Sequence, residues 1–179
     1  MRHFEKIGFG GGCHWCTEAV FQSLIGVEQV QQGWIASSGD NATLSEAVIV
    51  NYNAALISLE VLIEIHLYTH KSTSDHSMRQ KYRSAIYVFD KIKENKVLNV
   101  LKTLQSKFNN KLVTQVLPFS EFKPSREAIS NYYYKNPNKP FCETFINPKL
   151  KLLLERFGNY TDISKTVHLN IKVSRKVTE

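Results

Sequence analysis

The chain has 179 residues, 42% apolar and 22% charged, with five prolines. That balance excludes disordered, collagenous and repeat chains, and the length suffices for one domain with its own core. Lys and Arg number 23 against 16 Asp and Glu, a formal charge of +7, but the basic residues are scattered, so no nucleic-acid surface is expected. No apolar run reaches the roughly 18 residues of a membrane span. The opening Met1-Arg2-His3-Phe4-Glu5-Lys6 has no apolar signal core. Three cysteines do not suggest a disulfide framework. The expectation is a cytoplasmic, soluble, monomeric domain without a membrane partner.

In chain order, Glu5 to Phe9 reads as a strand running into Gly10-Gly11-Gly12. From Cys13 a helix follows, with Trp15, Ala19, Val20 and Leu24 at helical spacing and Gly26 as its stop. Val27 to Ala36 and Glu46 to Tyr52 read as strands around a polar turn at Ser37 to Ala42. Leu56 to Leu67 is a helix with His66 beside its apolar face. Lys71 to Lys81 is a long polar loop of the kind that carries function. Arg83 to Phe89 is a strand, Lys91 to Phe108 an amphipathic helix, Leu112 to Leu117 a strand and Ser125 to Tyr134 a helix. Asn136 to Pro140 breaks the pattern, and the segment around Cys142 has no clear period. Val167 to Val173 alternates, which suggests an edge strand in a carboxy-terminal extension, residues 158–179, appended to a catalytic domain of residues 1–157.

Four of the eight glycines fall between residues 8 and 12, directly before a cysteine that opens a helix. A helix amino end offers unpaired N–H groups and a partial positive charge, which ease ionisation of a thiol placed there. Cys13 is therefore the candidate reactive group; a glycine turn before a buried structural cysteine is the plain alternative. Cys13-His14-Trp15-Cys16 also has the C-x-x-C spacing of dithiol oxidoreductases and of half a zinc site. His66, His70 and His76 would have to complete a metal site, but their spacing resembles no zinc motif. They read as capping, surface or loop residues, and no metal or organic cofactor is expected.

Gly10-Gly11-Gly12-Cys13-His14-Trp15-Cys16-Thr17-Glu18-Ala19-Val20-Phe21 resembles the signature of the peptide methionine sulfoxide reductase A family. The resemblance continues through Leu24-Ile25-Gly26-Val27, Gly33-Trp34, Leu44-Ser45-Glu46-Ala47, His66, Lys81-Tyr82-Arg83-Ser84-Ala85-Ile86, Asn136-Pro137-Asn138 before Cys142, and Asn147-Pro148-Lys149-Leu150. It implies an α+β fold: a two-layer sandwich with a mixed, mainly antiparallel sheet, a ferredoxin-like core, and helices packed on it. It also implies thiol-dependent reduction of methionine S-sulfoxide, free or in peptides. Cys13 would attack the sulfur, Glu46 would give a proton to the departing oxygen from a water-poor pocket, and Tyr82 would hold that oxygen. The resulting sulfenic acid would condense with Cys142, or with its rival Cys16, into a disulfide cleared by thioredoxin or a similar dithiol.

The chain departs from the family pattern around this centre. His14 stands where the family has Phe, which weakens the apolar seat that it and Trp15 give the substrate methyl by about 1 to 2 kcal/mol; a role as base beside Cys13 is the other reading. Trp34 stands where a Tyr binds the oxygen, Ser77 where an Asp is found with Asp75 two residues away, and Ala128-Ile129-Ser130 replaces Tyr-His-Gln. These changes keep open a family member acting as a binding protein or on another sulfoxide.

Overall fold

The computed structural model describes residues 3–170. Its framework is a six-stranded sheet of β1 (Phe4–Gly10), β2 (Val27–Ala36), β3 (Ser45–Asn53), β4 (Ala85–Val88), β5 (Gln115–Pro118) and β6 (Glu121–Pro124), in the order β5-β4-β1-β3-β2-β6. Only β4 and β5 run parallel; the other neighbours are antiparallel. This is the mixed, mainly antiparallel α+β sheet expected.

Successive side chains of a strand point to opposite faces, and here the two faces have different partners. Ile7, Phe9, Val48, Val50, Ile86 and Val88 join the large core with the helices. Ala47, Ile49, Ala85 and Tyr87 form a smaller cluster on the other face with Ile35. The helices of the large core are α1 (His14–Gln22), α2 (Leu59–Thr69), α3 (Lys91–Leu104) and α5 (Asn147–Phe157), giving two layers. Ser58 and Asp90 cap α2 and α3 by accepting from the N–H groups of Val61 at 3.2 Å and Lys93 at 2.7 Å. The Ser58 cap is why α2 starts at Leu59 rather than at Leu56.

The expected helix over Ser125 to Tyr134 is instead a 3-10 turn, Glu127–Ile129, and a single turn α4 (Tyr132–Lys135), separated by Asn131 at φ 54. The buried Glu18 carboxylate accepts from the N–H groups of Asn131 and Tyr132 at 3.0 and 3.1 Å, satisfying donors at that break. Past Cys142, where no element was expected, a π-helical turn (Cys142–Ile146) leads into α5, whose Leu150, Leu153, Leu154 and Phe157 are buried. Residues 158–170 dock on the carboxyl end of α1: Ile25 N–H donates to the Tyr160 carbonyl and Asp162 N–H to that of Ser23, both at 2.8 Å. The stretch expected as an edge strand begins as a 3-10 turn, Val167–Leu169, closed by the Asn170 N–H donating to the Val167 carbonyl at 3.1 Å; residues 171–173 lie outside the described residues. No described helix is long and apolar enough to cross a membrane.

Candidate active site

β1 ends in the glycine loop and delivers Cys13 to the amino end of α1, where its own carbonyl accepts from the N–H groups of Cys16 and Thr17 at 3.1 and 3.2 Å. The Cys13 thiol is held below the usual range, chiefly by a hydrogen bond with the Cys16 thiol and also by the N–H groups of Trp15 and Cys16, against burial and the nearby Glu46. The same hydrogen bond and burial push the Cys16 thiol up, so of the two it is Cys13 that ionises.

The glycine loop is clamped from two sides. His66 Nε2–H donates to the Gly10 carbonyl at 2.8 Å. His70 donates from Nδ1 to the His66 carbonyl and accepts the Ser84 hydroxyl at Nε2, at 2.7 Å. A Cβ on Gly11 would overlap the His70 ring, so only glycine fits there. Burial lowers both histidines, His66 well below its usual value and His70 to about 3, which keeps them neutral. They are interior struts, where surface, loop or capping roles were expected, because the loop carbonyls need buried donors. Among the described residues no three His, Cys, Asp or Glu side chains converge as metal ligands.

From the other side, Arg79 ties the polar loop together. Its guanidinium donates to the Gly11 carbonyl at 3.1 Å, the Tyr82 carbonyl at 3.0 Å, the Ser74 carbonyl at 2.9 Å and the Lys71 carbonyl. Ser45 links the same loop to β3, donating to the Lys81 carbonyl at 3.0 Å and accepting Arg83 N–H at 2.8 Å. Glu46, next in β3, donates its N–H to the Lys81 carbonyl at 3.0 Å. These bonds bring Glu46 and Tyr82, 36 residues apart in sequence, to the same edge of the site as Cys13.

A cavity of about 500 Å³ opens here, with Cys13, Cys16 and Tyr82 on its wall beside His76, Phe141 and Lys149. Glu46, His14, Trp15 and Trp34 do not line it. Glu46 is 8% exposed, its Oε2 accepting the His14 N–H at 3.0 Å. His14 is 4% exposed, with its ring beside Trp34 at 5.0 Å between centroids. Its Nδ1–H donates to the Gly33 carbonyl at 2.7 Å and its Nε2 stands 3.8 Å from Glu46. The ring is thus engaged by β2 and β3, which corrects the reading of His14 as a base beside Cys13. Trp15 stacks on Tyr132 at 4.0 Å, with Phe141 edge-on at 5.4 Å. Ser77 and Asp75 are exposed and off the cavity wall. Cys142 is buried at the start of the π-helical turn, its thiol donating to the Asn136 carbonyl at 3.6 Å, while its neighbours Phe141 and Phe145 line the cavity.

Residues 5–160 match the family model described as peptide methionine sulfoxide reductase. The chain belongs to this family. It is 33% identical over 155 residues to the peptide methionine sulfoxide reductase MsrA of Pasteurella multocida (strain Pm70), covering 79% of this chain and 89% of that protein. In fold it resembles Mxr1 of Saccharomyces cerevisiae in its reduced form, with a TM-score of 0.70 at 21% identity over 79% of this chain and 91% of that one. Mxr1 in complex with Trx2 gives a TM-score of 0.57 at 21% identity, over 69% and 82% of the two chains. The peptide methionine sulfoxide reductases are thiol-dependent enzymes that reduce methionine sulfoxide, and this chain is one of them. Arg79, Glu18, His66 and His70 brace this reductase site; Glu18 and His66 fall within the resembling stretches, without a role read from the sequence, while Arg79 and His70 carry no motif.

Proposed function

We propose that the chain reduces methionine S-sulfoxide through Cys13, with Glu46 as proton donor, Tyr82 as the hydrogen bond to the substrate oxygen and Cys142 as the resolving thiol. The observation that carries this reading is a thiol eased toward ionisation at a helix amino end, on the wall of a cavity of about 500 Å³ that Tyr82 shares. The thiolate attacks the sulfoxide sulfur, Glu46 protonates the oxygen, and methionine leaves a sulfenic acid on Cys13. Cys142 sits one residue from cavity-lining Phe141, and partial unwinding of its π-helical turn would bring its thiol to the sulfenic acid. Cys16 is the second reading, favoured by its hydrogen bond to the Cys13 thiol. Trp15, His14 and Trp34, an aromatic cluster off the cavity wall, would receive the methyl side of the substrate only on a small opening of the site.

A thioredoxin-type dithiol would reopen the disulfide; the fold shared with a protein known in complex with Trx2 supports this partner. Three free thiols suit a reducing, cytoplasmic setting. The test is chromatographic turnover of a peptide methionine S-sulfoxide with dithiothreitol, wild type beside Cys13→Ser. Turnover that vanishes in Cys13→Ser is expected; turnover that survives it overturns the assignment of the nucleophile. Mass mapping of the oxidised protein then separates a Cys13–Cys142 from a Cys13–Cys16 disulfide.

A further inference from the structure

The cavity beside Cys13 has two lysines on its wall, Lys71 and Lys149, and no carboxylate among the residues that line it. Lys149 lies in the first turn of α5, and its ammonium donates to the carbonyl of Thr69 at the end of α2. Among the described residues neither lysine has a carboxylate within ion-pair distance. Burial presses Lys149 below the usual lysine range; the Cys16 and Cys13 thiols oppose this, and Lys71 adds to it. Two like charges thus stand close enough to repel, one of them largely withdrawn from water, on a wall that offers neither a counter-ion. Such an arrangement costs stability, and an anion bound between the two relieves both the repulsion and the unmatched desolvation.

We propose that Lys149, with Lys71 beside it, is a specificity-determining residue that holds a carboxylate of the substrate while Cys13 addresses the sulfur. The inference deepens the reductase reading above and rests on it. The substrate class it names is a methionine S-sulfoxide with a carboxylate close to the sulfoxide. That group is either the main-chain carboxylate of a free or carboxy-terminal methionine sulfoxide, or the side chain of an adjoining Asp or Glu; an ammonium binds both by the same charge-assisted hydrogen bond. Phe141 and Phe145, on the same wall, give the aliphatic part of the substrate an apolar surface.

The other charged groups near the cavity are already engaged. Glu46 is off the wall, and its Oε1 faces the exposed Lys81 at 3.8 Å. Asp75 lies within Coulombic reach of Arg79, whose guanidinium is spent on backbone carbonyls of the loop. His70, on the wall, is held neutral with its pKa at about 3. The Cys13 thiolate is the competing anion, but its ionisation is favoured chiefly by the Cys16 thiol and by the N–H groups of Trp15 and Cys16. The Lys149 ammonium is therefore left for a second anion.

The test compares kcat/KM, with dithiothreitol as reductant, within two pairs of substrates that differ by one charge. The first pair is N-acetylmethionine S-sulfoxide and its N-methylamide. The second is a blocked peptide with Glu beside an internal methionine S-sulfoxide and the same peptide with Gln. The wild type is expected to favour the charged member of at least one pair by about tenfold, the worth of a charge-assisted hydrogen bond in a partly desolvated site; the pair in which it does so identifies the source of the carboxylate. In Lys149→Gln that ratio should fall to near one, and Lys149→Arg should keep most of it, with circular dichroism confirming that both fold. A wild type indifferent to charge in both pairs overturns the proposal. So does a ratio that survives in Lys149→Gln, because an equal loss on charged and neutral substrates would make Lys149 a partner of the Cys13 thiolate instead. A wild type that turns over none of the four substrates overturns the reductase reading beneath the proposal, and that outcome needs no variant.

Discussion

Acidification should loosen the catalytic loop before it protonates any carboxylate bonded to a surface lysine. His66 and His70 are buried and neutral, their pKa values pressed down chiefly by burial, that of His70 to about 3. In the unfolded chain each takes up a proton near pH 6.5. A base whose folded pKa is depressed contributes stability above its unfolded pKa and loses it as pH falls, because the unfolded state binds the extra proton. Each such proton is worth about 1.4 kcal/mol per pH unit once the unfolded ring is charged, so from pH 6.5, where that ring is half charged, to 5.0 the two histidines cost about 3 kcal/mol. Glu18 works in the opposite sense. Burial raises its pKa against the N–H groups of Asn131 and Tyr132, so the folded state takes up a proton there first and recovers part of that loss. The net slope is one to two protons, about 1.4 to 2.7 kcal/mol per pH unit, a large share of an ordinary domain's stability. Urea unfolding followed by circular dichroism at pH 7.5, 6.5, 5.5 and 5.0 measures it. His70→Gln should roughly halve the slope. A stability flat between pH 7 and 5 in the wild type would refute the claim that both rings are held neutral as struts of the glycine loop.

Two other perturbations test how the site is braced. Arg79→Met removes donors to the Gly11, Tyr82, Ser74 and Lys71 carbonyls and should lower kcat by about tenfold or more through misplacement of Tyr82 and the loop. Steady-state kinetics with dithiothreitol reads this, and Arg79→Lys should rescue little, since an ammonium lacks the guanidinium's fork of donors. Glu18→Gln puts an amide in place of one of the oxygens that accept from Asn131, Tyr132 and Gln32, costing about 1 to 3 kcal/mol. Because α4 would shift with its Tyr132 stacked on Trp15, a change in tryptophan fluorescence should accompany the loss of stability; an unchanged spectrum would contradict the link.

What the sequence disclosed follows from how local each signal is. The strand alternation of Glu46 to Tyr52 and the glycines before Cys13 act within a few residues, and both appear in place. The helix over Leu150, Leu153, Leu154 and Phe157 was equally local, with Pro148 in its first turn, and was obscured by the irregular run of Asn136 to Pro140 ahead of it. The helix over Ser125 to Tyr134 failed for a different reason. Its break is made by Glu18, 113 residues from Asn131 in sequence, and no window along the chain contains both. Arg79 with Gly11, 68 residues apart, and His66 with Gly10, 56 apart, are bonds of the same long-range kind. The His14 substitution was visible as a departure from the family pattern, but its consequence was not. Only the position of the Gly33 carbonyl shows which way the ring turns.

The most direct test of the account is stoichiometric. The protein, fully reduced and freed of reductant, is mixed with excess peptide methionine S-sulfoxide, and methionine and free thiols are counted. One methionine per chain with the loss of two thiols, one of them Cys13, is the expected result. Methionine formed in equal amount by Cys13→Ser, or none formed by a folded wild type, would contradict it.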